Sequence, residues 1–212
     1  LCVPSSLWLL PMQGPTKPSV HMHLTLLLPV VSVVQLLLVL GLVEPTGNGI
    51  GGDLFAIVWD AKSEQLYGMN ASGRSPKSLS REYFLENNYT KIPAYGPLPV
   101  SVPGCVDGWF ELHQKFGSRP MTEILAPAID YAEKGFPLTE LIGHYFSLSV
   151  DRFLKAKFEN IEDTYIQNGK IRKEGEIFRN PYLADTYKKI ADGGRDAYYK
   201  GEIAKTITDF IK

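Results

Sequence analysis

The chain has 212 residues, 44% of them apolar and 11% aromatic, enough to close a core as one domain or as part of a larger one. A formal net charge of −1 argues against the clustered basic face that nucleic acid or an anionic membrane would need. Cys2 and Cys105 are the two cysteines, far apart, and indicate no disulfide framework. The sequence begins at Leu1 without a methionine and reaches Lys212 inside a helical pattern, so it is expected to be a piece of something longer.

Residues 1–40 differ in character from the rest. LCVPSSLWLLPMQGPTKPSV has scattered prolines and no clear period. Residues 24–43 are apolar apart from Thr25, Ser32 and Gln35, and match the length of about 20 residues that spans a bilayer. Lys17 and His21 precede them, as before a membrane anchor or uncleaved signal. The alternative is a buried helix interrupted by Pro29. A genuine span would make the protein membrane-associated, periplasmic or extracellular; without it a cytoplasmic location stays open.

From residue 41 onward the segments are regular. Leu54–Trp59 and Gln65–Asn70 form an antiparallel hairpin across the turn Ala61–Glu64. Ser80 is placed to cap a short helix over REYFLENN. PAYGPLPVSVPG, residues 93–104, is loop or edge. Helices follow over Val106–Phe116, Met121–Lys134 and Thr139–Lys157, the first two stopped by Gly117 and Gly135. Asn168-Gly169 signals a second hairpin. Asn180-Pro181 opens a helix to Ala191, and Gly193-Gly194 separates it from the last one. Strands and helices are grouped rather than alternating, which is an α+β plan: a sheet hairpin plus a helical layer.

The glycine-rich EPTGNGIGGDLFAIVWD, residues 44–60, raises the question of a phosphate loop. No Lys-Ser or Lys-Thr follows its glycines, and they precede a strand instead of opening a helix, so neither phosphate fingerprint applies. Close backbone packing or positive φ is the expected reason for Gly47, Gly49, Gly51 and Gly52. His21, His23, His113 and His144 have no metal-ligand spacing, so no metal and no cofactor is expected. Cys105 lacks a nearby base in sequence and is expected to be buried. Asp53 and Asp60 flank the first strand as turn or cap residues, with a carboxylate pair as the alternative. Arg74, in Ser-Gly-Arg-Ser-Pro after the second strand, could take a carboxylate in a two-point fork; the alternative is a solvated surface cation.

EPTGNGIGGDLFAIVWDAK, YGPLPVSVPGCVDGWFELHQKFG, LAPAIDYAEKGFPLT and FRNPYLADTYKKIADGGRDAYYKGEIA, in this order, resemble the large-subunit region of the γ-glutamyltranspeptidase family. The resemblance runs from about Gly41 to Lys212. It implies part of an αββα N-terminal nucleophile hydrolase sandwich, made as a self-cleaving proenzyme. The threonine that begins the small subunit would attack a γ-glutamyl amide of the glutathione type and pass the acyl group to water or an amine. That threonine is not in this chain, so no catalytic residue is assigned here and the chain alone is expected to be inactive. The implied partners are a small-molecule γ-glutamyl substrate and the missing small subunit. The alternative is a membrane-anchored, non-catalytic binding module of the same fold.

Members of the family carry D-x-R-E-x-A-P, whose arginine holds the substrate α-carboxylate. Here Asn70–Pro76 reads NASGRSP, so alignment on the proline puts Ser72 at the arginine position and Arg74 two residues later. In extended chain those two side chains share a face about 6–7 Å apart. Ser72 and Arg74 are therefore the substrate-binding candidates. The family's Ala-rich G-G-N-A-x-D-A-A segment is missing from residues 1–40. Shifting the frame across Met22-His23 encodes alanine, and Thr25, Leu26 and Leu27 then permit Asp-Ala-Ala. The division is thus 1–40, frameshifted or an anchor, and 41–212, a partial large-subunit domain.

Overall fold

The computed structural model describes residues 10–12, 30–158 and 160–211. Cys2, His21, His23 and the frame-shift positions Met22–Leu27 lie outside these residues. The described chain forms two compact units: residues 10–12, 50–116 and 195–211 in one, residues 30–49 and 117–194 in the other.

In the first unit the hairpin is the frame. Strands β1 (Leu10–Met12), β2 (Leu54–Asp60) and β3 (Gln65–Ala71) form an antiparallel sheet in the order β1-β3-β2. Register runs from Leu54 opposite Ala71 to Asp60 opposite Gln65. Alternation along β2 sends Leu54 into the core and leaves Phe55, Ile57 and Trp59 65%, 73% and 55% exposed. Two further helices of this unit lie between β3 and the unit's break. Helix α2 (Arg81–Glu86) starts at Ser80, whose Oγ accepts the Tyr83 N–H at 3.2 Å. Helix α3 (Cys105–Phe116) buries Val106, Trp109 and Leu112 and packs on β2 and β3. That approach needs Gly108, because a Cβ there would sit 2.8 Å from the Ala71 Cβ and 2.9 Å from Leu54 Cδ2.

The second unit is helical. Helix α1 (Val30–Val43) packs on α4 (Met121–Lys134), burying Val34, Leu38 and Leu42 at helical spacing. Its 14 residues are the described part of the apolar stretch 24–43, of which residues 24–29 lie outside the described residues. Among the described residues no helix is long and apolar enough to cross a membrane. Strand β4 (Phe136–Pro137) leads into α5 (Glu140–Lys155), capped by Thr139 Oγ1, and then α6 (Ile161–Tyr165). Strands β5 (Ile166–Gln167) and β6 (Lys170–Ile171) pair across Asn168 and Gly169, both at positive φ as a type I′ turn requires. Strand β7 (Ile177–Phe178) pairs with β4. Phe178 lies at the centre of an aromatic core, its ring 5.1 Å from Phe146, 5.9 Å from Phe136 and 6.0 Å from Tyr165.

Helix α7 (Pro181–Tyr199) is broken at Gly194 (φ 67°, ψ −160°), where the division between the units falls. As expected, the Gly193-Gly194 pair separates two helices, across this kink. Only Gly194 leaves helical geometry; Arg195–Tyr199 form another turn, and α8 (Glu202–Ile211) starts after Gly201.

Candidate functional site

The site candidates sit where β3 runs out beside the start of α3. Asp53 Oδ1 accepts the Gly73 N–H at 2.8 Å, and the Arg74 carbonyl accepts the Val102 N–H at 2.9 Å. The two segments lie so close that a Cβ on Gly73 would fall 1.8 Å from the Val102 oxygen, and one on Gly104 2.1 Å from the Ala71 oxygen. The Ser72 N–H is turned onto Asn70 Oδ1 at 2.9 Å. Ser72 and Arg74 are both exposed, and the Arg74 side chain meets no hydrogen-bond or ion-pair partner among the described residues. A fixed backbone thus presents a free guanidinium, the group suited to a carboxylate.

The glycine loop contributes carbonyl acceptors. The Gly52 carbonyl accepts the Gly104 and Cys105 N–H groups at 3.0 and 2.9 Å, and the Ile50 carbonyl accepts the Tyr198 hydroxyl at 3.0 Å. Close packing does not explain Gly49 and Gly51: an added Cβ would meet nothing within 4 Å. None of Gly47, Gly49, Gly51 and Gly52 has positive φ. Crowding falls instead on Gly73, Gly104 and Gly108 around this site, and on Gly135, Gly143 and Gly201 elsewhere.

Behind the site is a polar cluster that sequence analysis missed. Asp107, 1% exposed and in the first turn of α3, pairs with Arg195 Nε. The Tyr199 hydroxyl donates to the Pro103 carbonyl at 2.7 Å and accepts the Asp107 N–H at 2.9 Å. Arg195 lies over the Tyr199 ring, 5.6 Å from its centroid. Asp107 Oδ2 and Arg195 Nη2 are buried without a partner. The only sequence signal was an aspartate at the third position of a helix that is apolar around it.

The remaining sequence candidates resolve simply. Burial, then the Asp53 charge, pushes the Cys105 thiol up to about 12, so it stays protonated and is no nucleophile. Asp60 accepts from the Lys62 N–H and the Ser63 hydroxyl, a turn residue. Asp53 and Asp60 stand at opposite ends of a seven-residue strand, about 23 Å of chain, and do not form a carboxylate pair. His144 lies against Tyr145, and His113 is in the last turn of α3. Among the described residues no three His, Cys, Asp or Glu side chains gather to hold a metal ion.

Hairpin, helical layer and backbone clamp define an α+β chain of the N-terminal nucleophile hydrolase class, and solved structures agree. The chain superposes on the cephalosporin acylase from Bacillus halodurans with a TM-score of 0.80 and 36% identity, covering 86% of this chain and 34% of that one. On the γ-glutamyltranspeptidase from Pseudomonas nitroreducens the TM-score is 0.75 at 31% identity, over 85% of this chain and 52% of that one. The glutathione hydrolase proenzyme of Bacillus subtilis (strain 168) is 34% identical over 177 residues, 82% of this chain and 30% of the relative. The family model described as gamma-glutamyltranspeptidase matches residues 30–212. The chain belongs to the γ-glutamyltranspeptidase family. It spans about a third of the length of the curated relatives it matches.

Proposed function

We propose that this chain is the large-subunit part of an enzyme that cleaves γ-glutamyl amides of the glutathione type and transfers the acyl group to water or an amine. The nucleophilic threonine belongs to the small subunit of the same precursor, and this chain alone is inactive. The observation that carries this reading is the clamped, unpartnered Arg74, which receives the substrate's α-carboxylate, with Ser72 at the margin of the same site. Its displacement from the family's usual position leaves acyl-donor preference open to a related amide hydrolase.

The small-subunit partner is supported by the outer face of β2. Phe55, Ile57 and Trp59 make an exposed apolar row on an edge strand, which a two-layer unit leaves uncovered and a second sheet would bury. We further propose that the segment assigned above as residues 1–40 is read out of frame over the part that precedes the family match, which starts at residue 30.

Expressing the full-length precursor tests the function. It should split into two chains that remain associated and hydrolyse γ-glutamyl-p-nitroanilide. A precursor that is folded, unsplit and inactive would sink the proposal.

A further inference from the structure

Beside Arg74 the first unit holds a cavity of about 530 Å³, within the range of small-molecule sites. Ser75 and Pro76, which follow Arg74, form one wall, and Ser101, which precedes Val102, closes the other. The cavity is therefore continuous with the backbone clamp. Its interior is apolar: Leu79, Phe84, Leu98 and Val100 line it, and the Phe84 and Tyr89 rings meet edge to face at 5.7 Å. Leu85 and Ile92 on the lining are 54% and 60% exposed, so the patch is open to an occupant. Arg81 and Lys91 also line it, and neither has a carboxylate or hydrogen-bond partner among the described residues. No aspartate or glutamate is on the lining. An apolar body carrying a negative group satisfies both features.

We propose that this cavity receives the amine portion of the substrate, and that it selects γ-glutamyl amides of apolar or aromatic amino acids with a free carboxylate. The ring or branched chain would lie on Leu79, Phe84 and Val100. The carboxylate would face Arg81 and Lys91 through charge-assisted hydrogen bonds. This deepens the γ-glutamyl reading and rests on it for the bond that is broken; the affinity for an apolar carboxylate belongs to the cavity itself.

The test uses the full-length processed protein and three substrates: γ-glutamyl-phenylalanine, its C-terminal amide and γ-glutamyl-glycine. Wild type should favour γ-glutamyl-phenylalanine in kcat/KM by about tenfold over each of the others, the size of one charge-assisted contact or one buried ring edge. In the double variant Arg81→Gln, Lys91→Gln the preference over the amide should collapse towards unity. Phe84→Ala should remove the preference over glycine; because it could disturb α2, Phe84→Leu, which keeps an apolar side chain, is measured beside it. Equal kcat/KM for all three substrates in wild type overturns the proposal. If no γ-glutamyl substrate is cleaved, the proposed function has failed, and the cavity is then tested by calorimetry with N-acetyl-phenylalanine. Binding that weakens about tenfold in the double variant supports the cavity; equal affinity in wild type and variant overturns it.

Discussion

The carboxylate of Asp53 holds the backbone N–H of Gly73 at 2.8 Å, across 20 positions of sequence. It joins the entry of one strand to the exit of its neighbour, one residue before Arg74. Asp53 is a positioning residue by this geometry. Asp53→Ala should cost about 1 kcal/mol, since the bond is exposed, and should raise KM for γ-glutamyl-p-nitroanilide in the full-length enzyme more than it lowers kcat. Asp53→Asn keeps an acceptor oxygen and should restore KM. No rescue by asparagine would mean the effect is structural damage elsewhere.

Arg74→Ala removes the proposed contact to the α-carboxylate. KM should rise about 10- to 100-fold, as expected for a charge-assisted bidentate pair, with Arg74→Lys recovering part of it. Ser72→Ala should have a smaller effect. An unchanged KM in Arg74→Ala would remove this residue from the site.

The Asp107–Arg195 pair is buried on the aspartate side, with Asp107 1% and Arg195 26% exposed. Arg195→Met leaves a carboxylate uncompensated and should cost about 3 kcal/mol, read as a lower urea midpoint. Adding Asp107→Leu should recover most of that loss, because an apolar pair removes the stranded charge. If the double variant is no better than the single one, the Tyr199 hydrogen bonds and not the ion pair carry the stability.

Burial holds the Cys105 thiol protonated, its pKa pushed up from 9.0 to about 12. The folded state prefers the neutral form, so the stability linked to this group is fully present below about pH 9 and is lost as pH rises towards about 12. In a Cys2→Ser background, iodoacetamide at pH 8 should label Cys105 slowly in the native protein and promptly in 6 M urea. Rapid native labelling would contradict the buried, protonated thiol.

Ile57→Lys places a charge in the middle of the exposed row on β2 without touching the buried face. The processed subunits should then separate on size exclusion, whereas Glu64→Lys, in the turn at the far end of the hairpin, should not separate them. Subunits that stay together in Ile57→Lys would show that this face is not where they meet.

Much of the fold was legible because it is local. The β2–β3 hairpin extends each predicted strand by one residue, and the Ser80 cap is the one the sequence marks. Met121–Lys134 matches its periodic stretch end to end. Strands β4 and β7 were invisible, since two residues apiece carry no period and Phe136 finds Phe178 only through the fold. Arg74 could be named from its flanking Gly and Pro, yet the clamp behind it could not. Asp107 and Arg195 are 88 positions apart, and Gly73 and Gly104 are crowded by backbone oxygens that no local pattern announces. The error over Gly49 and Gly51 has the same origin: glycine in a sequence reports permission, and whether that freedom is used depends on distant neighbours.

That difference has a consequence for how the loop before β2 can vary. One oxygen, that of Gly52, anchors the Gly104 and Cys105 N–H groups where α3 begins, while side-chain space at Gly49 and Gly51 stands open. Composition there is loosely constrained and length is not. A single inserted residue would carry the anchoring oxygen away from α3, and the helix start, the Asp53 carboxylate and the segment bearing Arg74 would shift together. The loop acts as a measured spacer, and natural variation within it should appear as exchanges of residue and not as gaps.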